Sequence, residues 1–150
     1  MSESEVRQMR KRQVRQEEIR RVVREERIRT QQDLVDRLTK LGYKCTQATI
    51  SRDVSEMGLK KLPEGVYVLA EDLHLQRMIA ELVVRVGHSN NMVIVKTTPG
   101  TAQGVAAALD AADLEGILGS IAGDDTILVI ATEEGSAAKI QDHIDKFRGA

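Results

Sequence analysis

The spacing of apolar residues changes about halfway along this chain of 150 residues, and this change does most to limit the possible folds. Up to residue 58, apolar residues recur three or four positions apart among charged neighbours, which is typical of amphipathic helices. Beyond residue 81, short runs rich in Val, Ile and Leu are separated by Gly, Pro, Asn and Asp, which is typical of strands. The sequence therefore predicts a helical first part, a mixed second part and an α+β fold.

Three helices are predicted in the first part. The first covers about residues 11–26, the second begins after Thr30 and ends at Gly42, and the third begins after Thr46 and ends at Gly58. The stretch LKKLPEGVYVLA that follows predicts two short strands around Pro-Glu-Gly. Three helices and a ribbon indicate a winged helix-turn-helix DNA-binding domain, with a plain three-helix bundle as the alternative.

The third helix has small residues and one arginine on the face opposite its apolar stripe. At about 100° per residue, this face holds Ala48, Ser51, Arg52 and Ser55. Serine can bond base edges or phosphates, and arginine can donate two hydrogen bonds to guanine. Gln47, in the first turn, could reach adenine or phosphate. We therefore predict that Gln47, Ser51 and Arg52 contact DNA.

The two parts of the chain carry opposite charge. Residues 1–70 hold 16 lysines and arginines against 11 aspartates and glutamates, whereas residues 71–150 hold 6 against 12. A basic domain suits a polyanion and an acidic domain suits a cation. We predict one domain over residues 1–70 and another over 81–150, with a linker or short helix over 71–80.

Composition argues against several other classes of protein. The single Cys45 excludes an intramolecular disulfide framework and fits a reducing compartment. The first thirty residues are rich in Arg and Glu, so we expect no signal peptide, no membrane anchor and a cytoplasmic location. His74, His88 and His143 lack metal-ligand spacing, so neither a metal site nor a cofactor is expected. Without a nucleophile-base pair or a phosphate loop, an enzyme or an enzyme's amino-acid-sensing module is the less favoured alternative.

The second part predicts the order strand, strand, helix, strand, strand, helix, with the helices on one side of a small sheet. A loop is predicted over residues 87–91. The predicted strands cover residues 82–86, 92–96, 117–121 and 126–131. The predicted helices cover residues 101–112 and about 136–147.

Two adjacent carboxylates, Asp124 and Asp125, lie between the last two predicted strands. Gly and Asp suit a hairpin turn, so a turn with no ligand is one interpretation. Gln103 and Asp110 are seven residues apart on the alanine-rich helix and share one face, which makes a shallow polar groove possible. In a dry subunit contact these acids would require a cation, and a guanidinium suits them better than a metal. Oligomerisation is expected, because a domain of about eighty residues buries only a small core.

Three motifs carry a resemblance to a known family. TQATISRD, TTPGTAQGVAAALD and EGILGSIAGDDTILVI, in this order and over nearly the whole chain, resemble the bacterial arginine repressors. The resemblance implies a winged helix-turn-helix followed by an α+β domain that forms trimers, paired into hexamers, with L-arginine as corepressor at the trimer contacts. It also implies control of arginine biosynthesis and catabolism genes through operator DNA.

The resemblance assigns functions to individual residues. Ser51 and Arg52 would contact operator bases, with Gln47 assisting. The residues that would line the arginine site are Gln103, Asp110, Asp124 and Asp125. A different ligand, such as another amino acid or citrulline, or no ligand at all, stays an alternative.

Two features differ from the family pattern. The predicted ribbon is short, which argues against a large contribution of the wing to DNA binding. The Arg-rich arm before Val14 is longer than usual, and we expect it either to add phosphate contacts or to form a solvated, disordered tail.

Overall fold

A computed structural model of the chain, which describes residues 1–149, divides into two compact units. The first unit is Met1–Ala70 and the second begins at Glu71. Each unit has its own cluster of buried aliphatic side chains. The element order and the two cores confirm the predicted α+β fold with an N-terminal winged helix-turn-helix. None of the helices within residues 1–149 has the length and apolar character needed to cross a bilayer.

The first unit contains three helices with strong start and stop signals. They are α1 (Glu3–Glu25), α2 (Gln31–Lys40) and α3 (Gln47–Met57). The Thr30 side chain accepts a hydrogen bond from the Asp33 amide, and the Asp33 carboxylate accepts one from the Thr30 amide, which makes a capping box. Gly58 ends α3 in the left-handed conformation, with φ of 65°. Local sequence therefore determines where α2 and α3 begin and end.

Helix α1 begins eight residues earlier than predicted, at Glu3 instead of about Lys11. A capping box between Ser2 and Glu5 starts it, and residues 3–25 contain neither Gly nor Pro to interrupt it. The Arg-rich arm is therefore helical, and the expectation of a disordered tail is wrong.

The ribbon after α3 is as short as predicted. Strands β1 (Leu59–Lys61) and β2 (Tyr67–Leu69) pair in antiparallel fashion. The Leu62 amide donates to the Val66 carbonyl at 2.9 Å and closes the intervening turn. The next segment, for which we predicted a linker or short helix over residues 71–80, forms α4 (Ala70–Leu82). Its apolar side contributes Leu75 and Ile79 to the core of the second unit.

The second unit is a four-stranded antiparallel sheet covered by helices. The strands are β3 (Val83–Ser89), β4 (Met92–Thr97), β5 (Ile117–Ala122) and β6 (Thr126–Ala131). The helices are α5 (Ala102–Ala112) and α6 (Glu134–Gly149). The strands lie in the sheet in the order β3-β4-β6-β5. Along the chain, α5 follows β4 and α6 follows β6, which is the predicted order ββαββα.

The predicted loop over residues 87–91 is too long. Strand β3 continues through Ser89, and the chain reverses at Asn90 and Asn91. Asn90 adopts a φ of 54°, which asparagine tolerates better than most residues because its short side chain bonds locally. A tight turn therefore extends the strand pair.

The two faces of the sheet differ in what covers them. Val93, Val95, Ile127 and Val129 alternate along β4 and β6 and are buried beneath the helices. The residues between them point to the opposite side, which we call the outer sheet face. Two rows of residues in register form it, Ile94 with Leu128 and Ile121, and Met92 with Ile130 and Gly119. Ile121 is 70% exposed and Ile94 is 38% exposed, so this face is apolar and open.

Gly116, which joins α5 to β5, has no room for a side chain. Its φ is 87°, and a Cβ atom there would lie 2.9 Å from the Ser136 Cβ atom of α6. We expect Gly116→Ala to destabilise the protein by about 1–3 kcal/mol, because it combines backbone strain with a clash. Urea unfolding monitored by circular dichroism measures this loss. Gly135→Ala is the matched control, since no atom of residues 1–149 lies within 4 Å of its Cβ position and alanine favours the helix. Equal stability of the two variants would contradict the expectation.

Candidate nucleic-acid and ligand sites

The face of α3 predicted to contact DNA is open to solvent. Gln47, Ser51 and Arg52 are exposed, as are Ala48 and Ser55 between and beyond them. Within the described part of the chain, no hydrogen bond or ion pair holds the Arg52 side chain. The guanidinium is therefore available to a partner outside the chain, such as a guanine edge.

The opposite side of α3 contains a charged residue that the sequence analysis missed. Asp53 is fully buried between Ile50 and Val54. Its carboxylate accepts hydrogen bonds from the Arg15 guanidinium and from the Gln16 amide of α1. The hydrogen bond to Asp53 raises the pKa of Arg15 above its ordinary value. The sequence contained a signal for this ion pair, because Asp53 lies on the apolar stripe of α3 and a buried charge is almost always paired.

The two acids lie on the turn between β5 and β6. Main-chain hydrogen bonds join this turn to the segment from the end of β4 to the start of α5. The Thr97 amide donates to the Asp125 carbonyl at 2.8 Å. The amides of Gly100 and Ala102 donate to the Asp124 carbonyl at 3.1 and 3.2 Å. The predicted hairpin is therefore present, and it is the scaffold that carries both carboxylates.

The side chains of the two acids have different surroundings. The Asp125 carboxylate accepts a hydrogen bond from the Thr126 hydroxyl at 2.8 Å and from the Lys96 ammonium at 3.3 Å. These two partners lower the pKa of Asp125, the hydroxyl having the larger effect. The Asp124 side chain is exposed and, among the described residues, has no hydrogen bond or ion pair. The negative charge of Asp124 is therefore the more accessible of the two.

The exposed face of α5 continues this acidic edge. Gln103 follows Ala102, whose amide bonds the Asp124 carbonyl, so Gln103 lies at the same end of the helix as the turn. Asp110 lies two turns further along and accepts a hydrogen bond from the Ser120 hydroxyl of β5 at 3.0 Å. Seven residues of helix span about 10 Å, so a single guanidinium cannot contact both Gln103 and Asp110. An extended ligand, or one held partly by a second copy, fits the spacing better.

Two of the three histidines have side-chain contacts within the second unit. Residues 1–149 contain no group of three or more His, Cys, Asp or Glu side chains suited to a metal ion. His88 bonds the Gln141 side chain, and His143 packs edge-on against Phe147 with ring centroids 4.8 Å apart.

Comparison with known proteins places both units in one family. The sequence matches the family models "Arginine repressor, DNA binding domain" over residues 9–75 and "Arginine repressor, C-terminal domain" over residues 79–146. It is 41% identical over 144 residues to the arginine repressor of Carboxydothermus hydrogenoformans, covering 89% of this chain and 96% of that protein. It is 43% identical over 135 residues to an arginine repressor of Thermus thermophilus, covering 83% of this chain and 82% of that protein.

The Lys96 contact gives a prediction about Asp125. We expect Lys96→Met to raise the pKa of Asp125 only part of the way to its ordinary value, because the Thr126 hydrogen bond remains. A lowered carboxyl pKa stabilises the fold above the unfolded-state pKa, and this contribution is lost as the pH falls through the lowered value. A carbon NMR titration, with the signal assigned through Asp125→Asn, measures the change. Lys139→Met, which removes a lysine of α6, is the control. An identical titration of Asp125 in Lys96→Met and the native chain would refute the pairing.

Proposed function

The chain belongs to the arginine repressor family, and we propose that it is a cytoplasmic regulator that binds operator DNA when L-arginine is present. It represses arginine biosynthesis genes and can activate catabolism genes. It is a DNA-binding regulator and not an enzyme. The observation that carries the proposal is that Arg52 of the first unit and Asp124 of the second unit are both exposed, and that neither side chain has a partner among the described residues.

Operator recognition is proposed for the exposed face of α3. Small residues beside Ser51 and Arg52 allow the helix to lie close to the floor of a major groove. Arg52 donates two hydrogen bonds to guanine, while Ser51 and Gln47 bond bases or phosphates. Lys60 and Lys61 on the ribbon are exposed and lie where a wing meets the DNA backbone.

Arginine binding is proposed for the acidic edge formed by α5 and the β5–β6 turn. Asp124 accepts paired hydrogen bonds from the guanidinium, since its carboxylate has no partner in the described chain. Gln103 and Asp110 bind the rest of an extended ligand, which has an ammonium and a carboxylate. Asp125 adds charge to the site, although Lys96 and Thr126 already occupy its oxygens.

Self-association completes this site. The proposed ligand residues lie on an open surface, and the outer sheet face exposes apolar side chains that a second copy would cover. We propose a hexamer of two trimers with L-arginine at the subunit contacts. Arginine then stabilises the assembly, and the assembly holds several DNA-binding units together, so that arginine and operator strengthen each other's binding.

The proposed function is tested by operator binding with and without ligand. The probe is a palindromic operator duplex with two half-sites that lie about one helical turn apart. Fluorescence anisotropy measures its affinity for the protein with L-arginine, lysine, citrulline or no addition. We expect tight, salt-dependent binding only with L-arginine, because citrulline lacks the positive charge. Equal affinity under all four conditions would overturn arginine control, and tight binding with another ligand would reassign the corepressor.

Two substitutions should separate the two sites. Arg52→Ala should weaken operator binding by about 1–3 kcal/mol for each bidentate base contact that it removes, and should leave arginine affinity unchanged. Asp124→Asn should lower arginine affinity about tenfold to a hundredfold, since a charge-assisted hydrogen bond contributes about 1.5–3 kcal/mol. Calorimetry and anisotropy measure the two affinities. Asp142→Asn, which changes an acid of α6, is the control. Equal impairment of both functions in both variants would disprove the division between the units.

The outer sheet face should control oligomer size. Ile121→Glu places a charge in the row that also contains Leu128 and Ile94, so a subunit covering that face would have to bury it. We expect analytical ultracentrifugation to show a shift toward the 16.6 kDa monomer. Val14→Glu, which changes a 53% exposed valine of α1, is the control and should keep the native oligomer size. An unchanged oligomer in Ile121→Glu would show that another surface forms the contact.

A further inference from the structure

A buried ion pair joins α3 to α1 directly behind the proposed base-reading face. Asp53 is the residue after Arg52, about 100° further around the helix, but its side chain is only 1% exposed and faces α1. The Arg15 guanidinium donates two parallel hydrogen bonds to it, from Nε to Oδ2 at 2.5 Å and from Nη2 to Oδ1 at 3.0 Å. The Gln16 amide donates a third to Oδ1 at 3.0 Å. Asp53 is thus bound by two adjacent residues of α1.

The same contact continues one turn further along both helices. The Gln16 amide also donates to the Glu56 carboxylate at 2.9 Å, and Arg12 lies 3.7 Å from Glu56. These outer partners are much more exposed, with 46% of the Arg12 side chain and 39% of the Glu56 side chain open to solvent. The Arg15–Asp53 pair is therefore the most buried part of this polar contact, and the Arg12–Glu56 pair is its solvated edge.

Stability alone does not account for a buried pair at this position. Removing two charges from water is costly. Well-packed apolar side chains of similar volume often stabilise a fold as much as a buried ion pair, or more. The neighbouring contacts are already apolar, since Ile19 and Val22 of α1 and Ile50 and Val54 of α3 belong to one buried cluster. Apolar contacts are not directional, however, and they allow a helix to rotate or slide slightly. Two parallel hydrogen bonds to one carboxylate do not allow this.

The position of Arg52 is sensitive to such a rotation. An arginine guanidinium lies roughly 8 Å from the axis of its helix, so a rotation of about 20° would move it by about 3 Å. Hydrogen bonds to a base edge tolerate only a few tenths of an ångström around about 2.9 Å. A rotation that the apolar core would accept is therefore enough to break the hydrogen bonds on which sequence recognition depends.

We propose that Arg15 and Asp53 are positioning residues for operator recognition. Their ion pair sets the rotation of α3 about its axis and thereby the places where Ser51 and Arg52 meet the bases. Neither residue is proposed to touch DNA. This inference rests on the proposed function, because it assigns the geometry of the same operator-binding face.

Replacing both partners separates positioning from stability. Arg15→Met/Asp53→Leu exchanges the pair for apolar side chains of similar size and leaves the net charge unchanged. We expect the urea midpoint, the arginine affinity and the affinity for non-operator DNA to stay at native values. Operator affinity should fall at least tenfold, so that discrimination between operator and non-operator DNA falls equally. A pair that only stabilised the fold would leave this ratio unchanged.

Two further variants keep the test decisive if the double variant does not fold. Arg15→Lys retains the positive charge but not the two-pronged geometry, so it should still lose discrimination if the geometry positions α3. Arg37→Gln/Glu26→Gln removes a much more exposed ion pair of the same unit, also without a change in net charge, and should bind the operator within about twofold of the native chain.

The outcomes distinguish this inference from the proposed function. A native chain that fails to discriminate operator DNA under any ligand condition would refute the proposed function itself. A native chain that discriminates, together with a folded Arg15→Met/Asp53→Leu variant that discriminates equally well, would refute only the positioning by Arg15 and Asp53. Full discrimination in Arg15→Lys would likewise refute it, because charge without geometry would then be sufficient.

Discussion

Main-chain hydrogen bonds set the position of the acidic turn, and the ligand proposal depends on this. The amides of Thr97, Gly100 and Ala102 hold the carbonyls of Asp124 and Asp125 against the start of α5. These hydrogen bonds join main-chain amides to main-chain carbonyls. They do not involve the Asp124 and Asp125 carboxylates, so a carboxylate can gain or lose a partner without breaking them. The Asp124 side chain can therefore bind a ligand without giving up a contact that the hairpin needs. Asp125 differs, since its oxygens already bind Thr126 and Lys96.

The open surface around these acids links ligand binding to self-association. A guanidinium beside Asp124 on a single copy would stay in water, where an ion pair contributes only about 0–1 kcal/mol. Covering the pair with a second subunit excludes water and strengthens it, provided that every polar group is satisfied. The outer sheet face, with Ile121 and Ile94 exposed, gives an independent physical reason for subunits to associate. Sensing arginine and assembling are therefore parts of one equilibrium in this proposal.

Elements whose signals lie within a few residues of one another could be predicted from the sequence. Thr30 and Thr46 mark helix starts and Gly58 marks a stop, because caps act within a few residues. Short apolar runs separated by Gly, Pro, Asn and Asp likewise predicted the four strands. Pairings such as Arg15 with Asp53 and Lys96 with Asp125 were missed, since the partners are 38 and 29 positions apart and meet only after packing. The early start of α1 was missed because its first turns have few apolar residues, so periodicity gives no signal there.

The two units suggest how a ligand in one can affect DNA binding by the other. Each unit has a separate apolar core, so in this proposal arginine beside Asp124 has no need to reshape α3, whose orientation we assign to the Arg15–Asp53 pair. What arginine can change is the number of DNA-binding units held in one assembly. Once one unit is bound, a tethered second unit meets its half-site at a high effective concentration, so affinity rises without any new contact. Linkage then requires operator DNA to tighten arginine binding by the same factor. The two proposals therefore make orientation of α3 and assembly through the second unit independent requirements for operator binding.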